Sequence, residues 1–334
     1  MNADSFRCIL VTKTGNGQTR SGIERRPLRE LPAGDVLIRV KFSSLNYKDA
    51  LAATGHPGVT KRFPHVPGID AAGTIAESTS PDFRAGEEVL VTGFDMGAGQ
   101  WGGWAEYVRV PAEWVVPLPA GLSAETAMQY GTAGLTAALS VRSLLQHGIT
   151  PESGDEVVTG ATGGVGSVAV MLLAKLGFRV TAVSGKADRR EWLKSLGAAD
   201  VIGRQEVDDQ SGKPLLSTRW AGAVDTVGGN TLATIIRATN IGGCVTACGL
   251  VGGTDLPLTV FPFILRGVTL AGIDSAWCPQ ATRVEVWSQL AGDWKLERLA
   301  QICTTIGLDE VSGHVTRMLK GESTGRVVVR IDDA

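Results

Sequence analysis

Apolar and polar residues alternate along Val36-Leu37-Ile38-Arg39-Val40-Lys41-Phe42, with Val36, Ile38, Val40 and Phe42 on one face and Arg39 and Lys41 on the other. That is the period of a half-buried β-strand. Strand-like runs follow at 73–76, 88–92 and 105–110, separated by turn signals such as Pro67-Gly68 and Arg84-Ala85-Gly86. Turns at this density predict a compact, barrel-like antiparallel domain over the first 120 or so residues.

Near Ser123 the texture changes. Ser123 ahead of Ala124, Glu125 and Thr126 reads as an N-cap opening a helical region that runs to about Gln146. Strands are then predicted at 156–159, 179–183, 200–202, 222–226, 244–249 and 268–273, with helices at 164–176, 188–196 and 230–240 among them. Regular alternation of this kind predicts a parallel, doubly wound sheet. Helices around 285–299 and 308–319 precede a last strand, 326–331, expected to return to the first domain. The expected division is therefore 1–123 with 277–334 as a discontinuous β-domain, and 124–276 as the α/β-domain.

Composition narrows the classes. At 334 residues the chain has room for about two domains, and its 43% apolar and 20% charged residues are those of a globular protein. With 32 basic against 34 acidic residues and no long basic run, a nucleic-acid partner is not expected. The five cysteines (Cys8, Cys244, Cys248, Cys278, Cys303) have no zinc-finger spacing and read as small buried hydrophobes in a reducing cytosol. Cys244 and Cys248, four apart, are expected on one face of a strand. No signal peptide is expected, since the opening residues hold no apolar core of that length, and residues 157–174, uncharged for 18 positions, hold four glycines that mark a strand, turn and helix start rather than a membrane span. A soluble cytoplasmic protein is expected.

The candidate chemistry begins at Gly160-Ala161-Thr162-Gly163-Gly164-Val165-Gly166, between a strand and a helix. This is a dinucleotide fingerprint with Ala161 at its first glycine. Gly163 lets the backbone approach a pyrophosphate, and Gly166 lets helix and strand pack closely. The helix N-terminus offers N–H groups and a partial positive charge. The second strand ends in Ser184-Gly185-Lys186, without the carboxylate that binds a ribose 2′-hydroxyl, and Arg204 follows the next strand. A hydroxyl and two cations suit a 2′-phosphate, so the expected cofactor is NADPH. Asp188, the nearest acid, falls where a helix N-cap belongs.

No metal is expected, since His56, His65, His147 and His314 form no ligand pair with a cysteine at a useful spacing. His65, beside Val66-Pro67, reads as structural. No tyrosine has a lysine four residues on to act as a proton donor. Without these devices for neutralising an alkoxide, activated alkenes are the natural substrates, because the enolate formed by hydride addition is stabilised by its own carbonyl. Three readings follow: an enoyl-thioester reductase, a zinc-independent NADPH:quinone or free-enone reductase, and a non-catalytic NADPH-binding protein on the same fold. Lys61 and Arg62 could bind coenzyme A phosphates in the first.

Ser43-Ser44-Leu45-Asn46-Tyr47-Lys48-Asp49-Ala50-Leu51, Pro67-Gly68-Ile69-Asp70, Trp101-Gly102-Gly103, Gly131-Thr132-Ala133-Gly134-Leu135-Thr136-Ala137, Ala182-Val183-Ser184-Gly185 and Pro262-Phe263-Ile264-Leu265-Arg266 resemble the medium-chain dehydrogenase/reductase family. They are most similar to its zinc-free, quinone-oxidoreductase-like branch, and within it to the NADPH-dependent acryloyl-coenzyme A reductases. Zinc-dependent members carry Cys at or beside Asn46 and Gly-His-Glu where this chain has Gly68-Ile69-Asp70. The resemblance implies a GroES-like antiparallel β-barrel domain, a Rossmann domain, and reduction of acryloyl-CoA to propanoyl-CoA. It carries cofactor contacts to Tyr47, Thr132, Thr162, Gly163, Gly164, Val165, Ser184, Gly185, Lys186, Arg204, Leu250, Ile264 and Ser275. Lys186 stands where the family usually has Arg. Tyr47 is expected to stabilise or protonate the enolate, and Asn46 to orient substrate or ribose. Relatives of this kind are commonly dimers, so a homodimer is expected.

Overall fold

The computed structural model describes residues 5–15 and 17–331. The described residues divide into two compact units: one of those up to Thr132 with 276–293 and 297–331, the other of 133–275 with 294–296.

The first unit opens with a hairpin absent from the sequence prediction, β1 (Ser5–Lys13) against β2 (Thr19–Pro27), in antiparallel register from Ser5↔Pro27 to Lys13↔Thr19. Its second strand is hidden from a hydropathy reading because most of it faces water. β3 (Val36–Leu45) is the predicted alternating strand and runs three residues further. It leads directly into α1 (Tyr47–Ala53), a two-turn helix too short to show a period in the sequence. β4 (Asp70–Ser78), β5 (Glu88–Thr92), β6 (Tyr107–Val110) and β7 (Val116–Pro117) complete the first stretch. β3 bulges against β4 between Val40 and Phe42, and beyond it Ser43, Ser44 and Leu45 are buried consecutively instead of alternating.

α2 (Ala124–Gln146) starts as expected, with Thr126 N donating to Ser123 Oγ at 3.1 Å. It is not one helix. Gly131 takes φ 52° and ψ −157°, a backbone state that L side chains avoid, and splits it.

The second unit is the predicted doubly wound sheet. β8 (Glu156–Val158), α3 (Gly164–Lys175), β9 (Val180–Val183), α4 (Arg190–Ser195), β10 (Asp200–Ile202), β11 (Trp220–Asp225), α5 (Gly229–Arg237), β12 (Thr239–Ala247), α6 (Phe261–Arg266) and β13 (Thr269–Gly272) follow one another along the chain. The six strands are all parallel, in the order β10-β9-β8-β11-β12-β13. Val157, Val183, Ala223, Ile235, Ile236 and Val245 belong to its core.

The chain then returns to the first unit with α7 (Gln280–Ala291), β14 (Cys303–Gly307), α8 (Val311–Leu319) and β15 (Arg326–Arg330). α7 lies earlier than its predicted span because it starts directly after Pro279 and stops at Gly292. As expected, the last strand rejoins the opening sheet, in the order β14-β15-β3-β4-β5-β7 with β6 also on β3. Val328 faces Ser44 and Val327 faces Leu45, so the final strand fixes the end of β3, where a cluster of polar residues is buried. Among the described residues no helix is long and apolar enough to cross a membrane.

Candidate active site

Asn46 is the residue before α1, in extended conformation, and nearly every polar atom it has is engaged. Its backbone N–H donates to Asp49 Oδ2 at 2.8 Å, and its amide nitrogen reaches Asp70 Oδ2 at 2.8 Å, with Ser44 Oγ and Asp49 Oδ2 each at 3.1 Å. Its amide oxygen accepts from Arg326 Nη1 at 3.0 Å. Arg326 opens β15 and is 2% exposed. It also donates to the carbonyls of Gln129 (3.0 Å) and Met128 (3.4 Å). An isolated guanidinium taken this far from water costs several kcal/mol, which carbonyl and carboxylate partners must offset. Burial lowers its pKa, and the charges of Asp70 and Asp49 oppose that shift.

The break in α2 supplies those partners. In an unbroken helix Thr132 N–H would bond the carbonyl of Met128. Here Thr132 gives its N–H (2.9 Å) and its hydroxyl (2.5 Å) to Asp70 instead, and the freed Met128 carbonyl turns to Arg326. Gly131 is required for space as well as for φ: a Cβ there would stand 2.5 Å from Asp70 Oδ2 and 2.6 Å from Arg326 Nη2. Asp70 also accepts from Ser44 Oγ at 2.5 Å, while Ser43 Oγ bonds its carbonyl at 2.6 Å.

Asp49 is wholly buried and accepts from four N–H groups: the two of Asn46 already given, Gly68 at 3.1 Å and Ile69 at 2.8 Å. Burial, and next the neighbouring Asp70 charge, push its carboxyl up to about 7 against those donors. It ties α1 to the Pro67-Gly68-Ile69-Asp70 loop. Tyr47, the first residue of α1, is 45% exposed beside this rigid cluster. The arrangement presents one aromatic hydroxyl to solvent or ligand, on a base whose own polar groups are largely satisfied.

The sequence reading named Tyr47, Asn46 and Thr132 but did not place Asp49, Asp70 or Arg326 in the site. A signal for Arg326 existed: it is a cation opening the apolar run Val327-Val328-Val329. Asn46, expected to orient substrate or ribose, has its side-chain amide engaged by the protein's own groups. His65 is buried, with Nε2 2.9 Å from the Gly97 carbonyl and its pKa lowered by burial, in keeping with a structural part.

In the second unit the glycine turn leads into α3 with Gly163 as its N-cap, and Gly163 N–H donates to the Gly160 carbonyl at 2.8 Å. A Cβ on Gly166 would run into that same carbonyl, the close packing for which the fingerprint keeps glycine. Thr162 is nearly buried, whereas Gly163, Gly164 and Val165 are half-exposed, so the first N–H groups of the twelve-residue α3 are open to an anion. Ser184 Oγ accepts from Lys186 N–H at 3.0 Å. Gly185 lies against Arg204, whose Nε would stand 2.6 Å from a Cβ at that position. The hydroxyl, the glycine and the two cations, 20 residues apart at the extremes, therefore share one place. These residues fit the adenosine phosphates of a dinucleotide.

Ser275 accepts from Thr136 Oγ1 at 2.7 Å. Leu250 and Ile264 are 62% and 68% exposed. Asp188 does not cap a helix: it lies in a 3-10 turn, exposed and paired with Arg189, because α4 starts two residues later than its sequence suggested. Cys248 lies past the end of β12 and bonds the Asp225 carbonyl, so it does not share a strand face with Cys244. All five cysteines are unpaired. Asp225, missed in the sequence, is buried at the end of β11, where it accepts from Thr159 Oγ1 (2.7 Å) and Gly228 N–H (2.7 Å).

A GroES-like unit on one side of the sequence and a six-stranded parallel Rossmann unit with a dinucleotide turn on the other define a two-domain α/β dehydrogenase-type protein. The alcohol dehydrogenase GroES-like domain family matches residues 32–120, and the zinc-binding dehydrogenase family matches 164–291. The probable acrylyl-CoA reductase AcuI of Escherichia coli is 46% identical, over 97% of this chain and 99% of that protein. The putative quinone oxidoreductase YhfP of Bacillus subtilis is also 46% identical, over 90% and 92%, and its solved structure with NAD bound superimposes with a TM-score of 0.95. The yhdH oxidoreductase of Salmonella enterica, solved with NADP, is 47% identical over 98% of this chain and all of that one, with a TM-score of 0.95. The chain belongs to the medium-chain dehydrogenase/reductase family, in its quinone-oxidoreductase-like branch together with the acrylyl-CoA reductases.

The zinc in one family description does not suit this donor set. Asn46 offers its only side-chain acceptor to a buried guanidinium, so a cation already lies at hydrogen-bond distance, and Asp70 is taken up by Ser44, Asn46 and Thr132. Among the described residues no three His, Cys, Asp or Glu side chains could jointly hold a metal ion.

Proposed function

We propose that this protein reduces the activated C=C bond of acryloyl-CoA to propanoyl-CoA with NADPH. The observation that carries this reading is the Arg326–Asn46–Asp70 cluster, in which Asn46 bridges the guanidinium and the carboxylate and the polar groups are taken up by one another rather than by a Lewis acid. A substrate whose negative charge is held by its own thioester carbonyl is the one that such a site can serve. NADPH supplies the hydride to the β-carbon, the π electrons move to the thioester oxygen, and a proton then reaches the α-carbon.

On the second unit, Thr162, Gly163, Gly164 and Val165 would take the diphosphate. Ser184, Gly185, Lys186 and Arg204 would take the 2′-phosphate, which an acidic residue there would repel. Leu250, Ile264 and Ser275 would flank the nucleotide. On the first unit, Tyr47 would donate its hydroxyl hydrogen bond or proton to the enolate, while Asn46, Asp49 and Arg326 hold its helix in place and Thr132 borders the nicotinamide. The similarity to the Escherichia coli reductase and to the NADP-bound Salmonella structure supports the substrate and the cofactor.

The test follows NADPH absorbance with acryloyl-CoA, crotonyl-CoA and a benzoquinone in parallel. The expected result is the highest kcat/KM on acryloyl-CoA and at least tenfold preference for NADPH over NADH. Preference for the quinone would assign the activity carried in the name of the Bacillus subtilis relative. Binding of NADPH without turnover of any alkene would make the chain a non-catalytic nucleotide binder.

A further inference from the structure

A cavity of about 480 Å³ opens in the first unit, and Lys48, Lys61, Arg62 and Asp95 line it. Three cations face one acid there. None of the three has an ion pair or a side-chain hydrogen bond among the described residues, whereas Lys41 of the neighbouring sheet is paired with Glu88 at 2.9 Å. Unpaired like charges around a concavity repel one another, and an anion relieves that repulsion. Gly58 and Gly99 keep the space open: a Cβ at Gly99 would stand 2.9 Å from Asp95 Oδ2, and one at Gly58 would stand 3.1 Å from the His56 ring. The cavity adjoins the candidate site, because Lys48 follows Tyr47 on α1.

We infer that this basic cavity binds the phosphates of the coenzyme A nucleotide, with Lys61 and Arg62 as its main charges and Lys48 on the side of the reacting thioester. The inference rests on the acyl-CoA reading and deepens it. It explains how a short, uncharged acryloyl group is selected: the binding energy comes from the distant phosphates, and the reacting end has only to be positioned. A guanidinium is suited to two oxygens of one phosphate, and the lysines act as point charges.

The experiment replaces both distal cations, as Lys61→Ala with Arg62→Ala, and leaves Lys48 intact. KM is measured with acryloyl-CoA and with acryloyl-pantetheine, which has the same thioester and no phosphate. The double variant should raise KM for acryloyl-CoA at least tenfold and leave KM for acryloyl-pantetheine and for NADPH unchanged. Raised ionic strength should weaken acryloyl-CoA binding in the wild type and have little effect in the variant. An unchanged KM for acryloyl-CoA, or an equal loss on both thioesters, would overturn the inference. Calorimetric titration of free coenzyme A separates this failure from that of the functional reading. Loss of coenzyme A binding in the double variant supports the cavity even where no thioester is reduced. Equal binding in both proteins, or none in the wild type, rejects it.

Discussion

Arg326 Nη1 donates to Asn46 Oδ1 at 3.0 Å across 280 positions of sequence. The last strand thereby supplies the cation of a cluster built otherwise from the first 132 residues, with the guanidinium buried and the amide half-buried.

Removing that cation has a calculable consequence. Arg326→Ala leaves Asp70 buried without its counter-charge and should cost about 3–5 kcal/mol of stability, read from urea denaturation midpoints. Arg326→Lys keeps charge without the planar fork and should recover only part of it. If the pair acts as a unit, Asp70→Asn combined with Arg326→Met will be less destabilised than the sum of the two single changes.

Gly131→Ala tests the break in α2. The new Cβ meets Asp70 and Arg326 in a backbone state with φ 52°, so a loss of roughly 1–3 kcal/mol is expected. Gly313→Ala on α8 is the contrast, since nothing lies within 4 Å of its Cβ position and the residue is exposed and helical. It should raise stability by about 0.5–1 kcal/mol.

Tyr47→Phe removes a hydroxyl and little volume. Turnover of acryloyl-CoA should fall at least tenfold while the Kd for NADPH, measured by fluorescence titration, stays within twofold. An unchanged kcat would take Tyr47 out of the chemistry and leave it a packing role.

The Ser184-Gly185-Lys186 tip and Arg204 should decide between the two nicotinamide cofactors. Lys186→Ala with Arg204→Ala is expected to raise KM for NADPH by one to two orders of magnitude and to leave KM for NADH nearly unchanged. Lys186→Arg should tighten NADPH binding through bidentate contact with the phosphate.

Glu156, the first residue of β8, is completely buried, and neither carboxylate oxygen has a hydrogen-bond partner. Burial, and then the charge of Asp155, raise its pKa well above the usual value. The unfolded chain releases this proton near pH ~4.3 and the native state keeps it, so stability from this group is complete below that pH and is lost as pH rises through the native pKa. Chemical denaturation from pH 5 to 9 should show a decline that Glu156→Gln flattens. An identical decline in both proteins would place the titration elsewhere.

Much of the fold was legible because it is written in short-range periods. The alternation in β3, the strand-turn-helix of Gly160 to Gly166 and the β/α succession up to β13 each depend on neighbours within a few residues, and the structure contains them with small shifts at the ends. The hairpin partner β2 and the short α1 were illegible for the converse reason. One faces water along most of its length, and the other is too short to display a period.

The sequence alone therefore determined the two kinds of domain, the dinucleotide turn, the missing acid at the tip of β9 and the return of the last strand. Only the tertiary structure decided that Arg326 sits on Asn46, that α2 breaks at Gly131 to free a carbonyl and an N–H, and that Lys48, Lys61 and Arg62 face one cavity. The physical reason is that a buried charge is tolerable only where partners from distant segments converge. Which segments converge is set by packing and chain closure, and no local pattern of hydrophobicity records it.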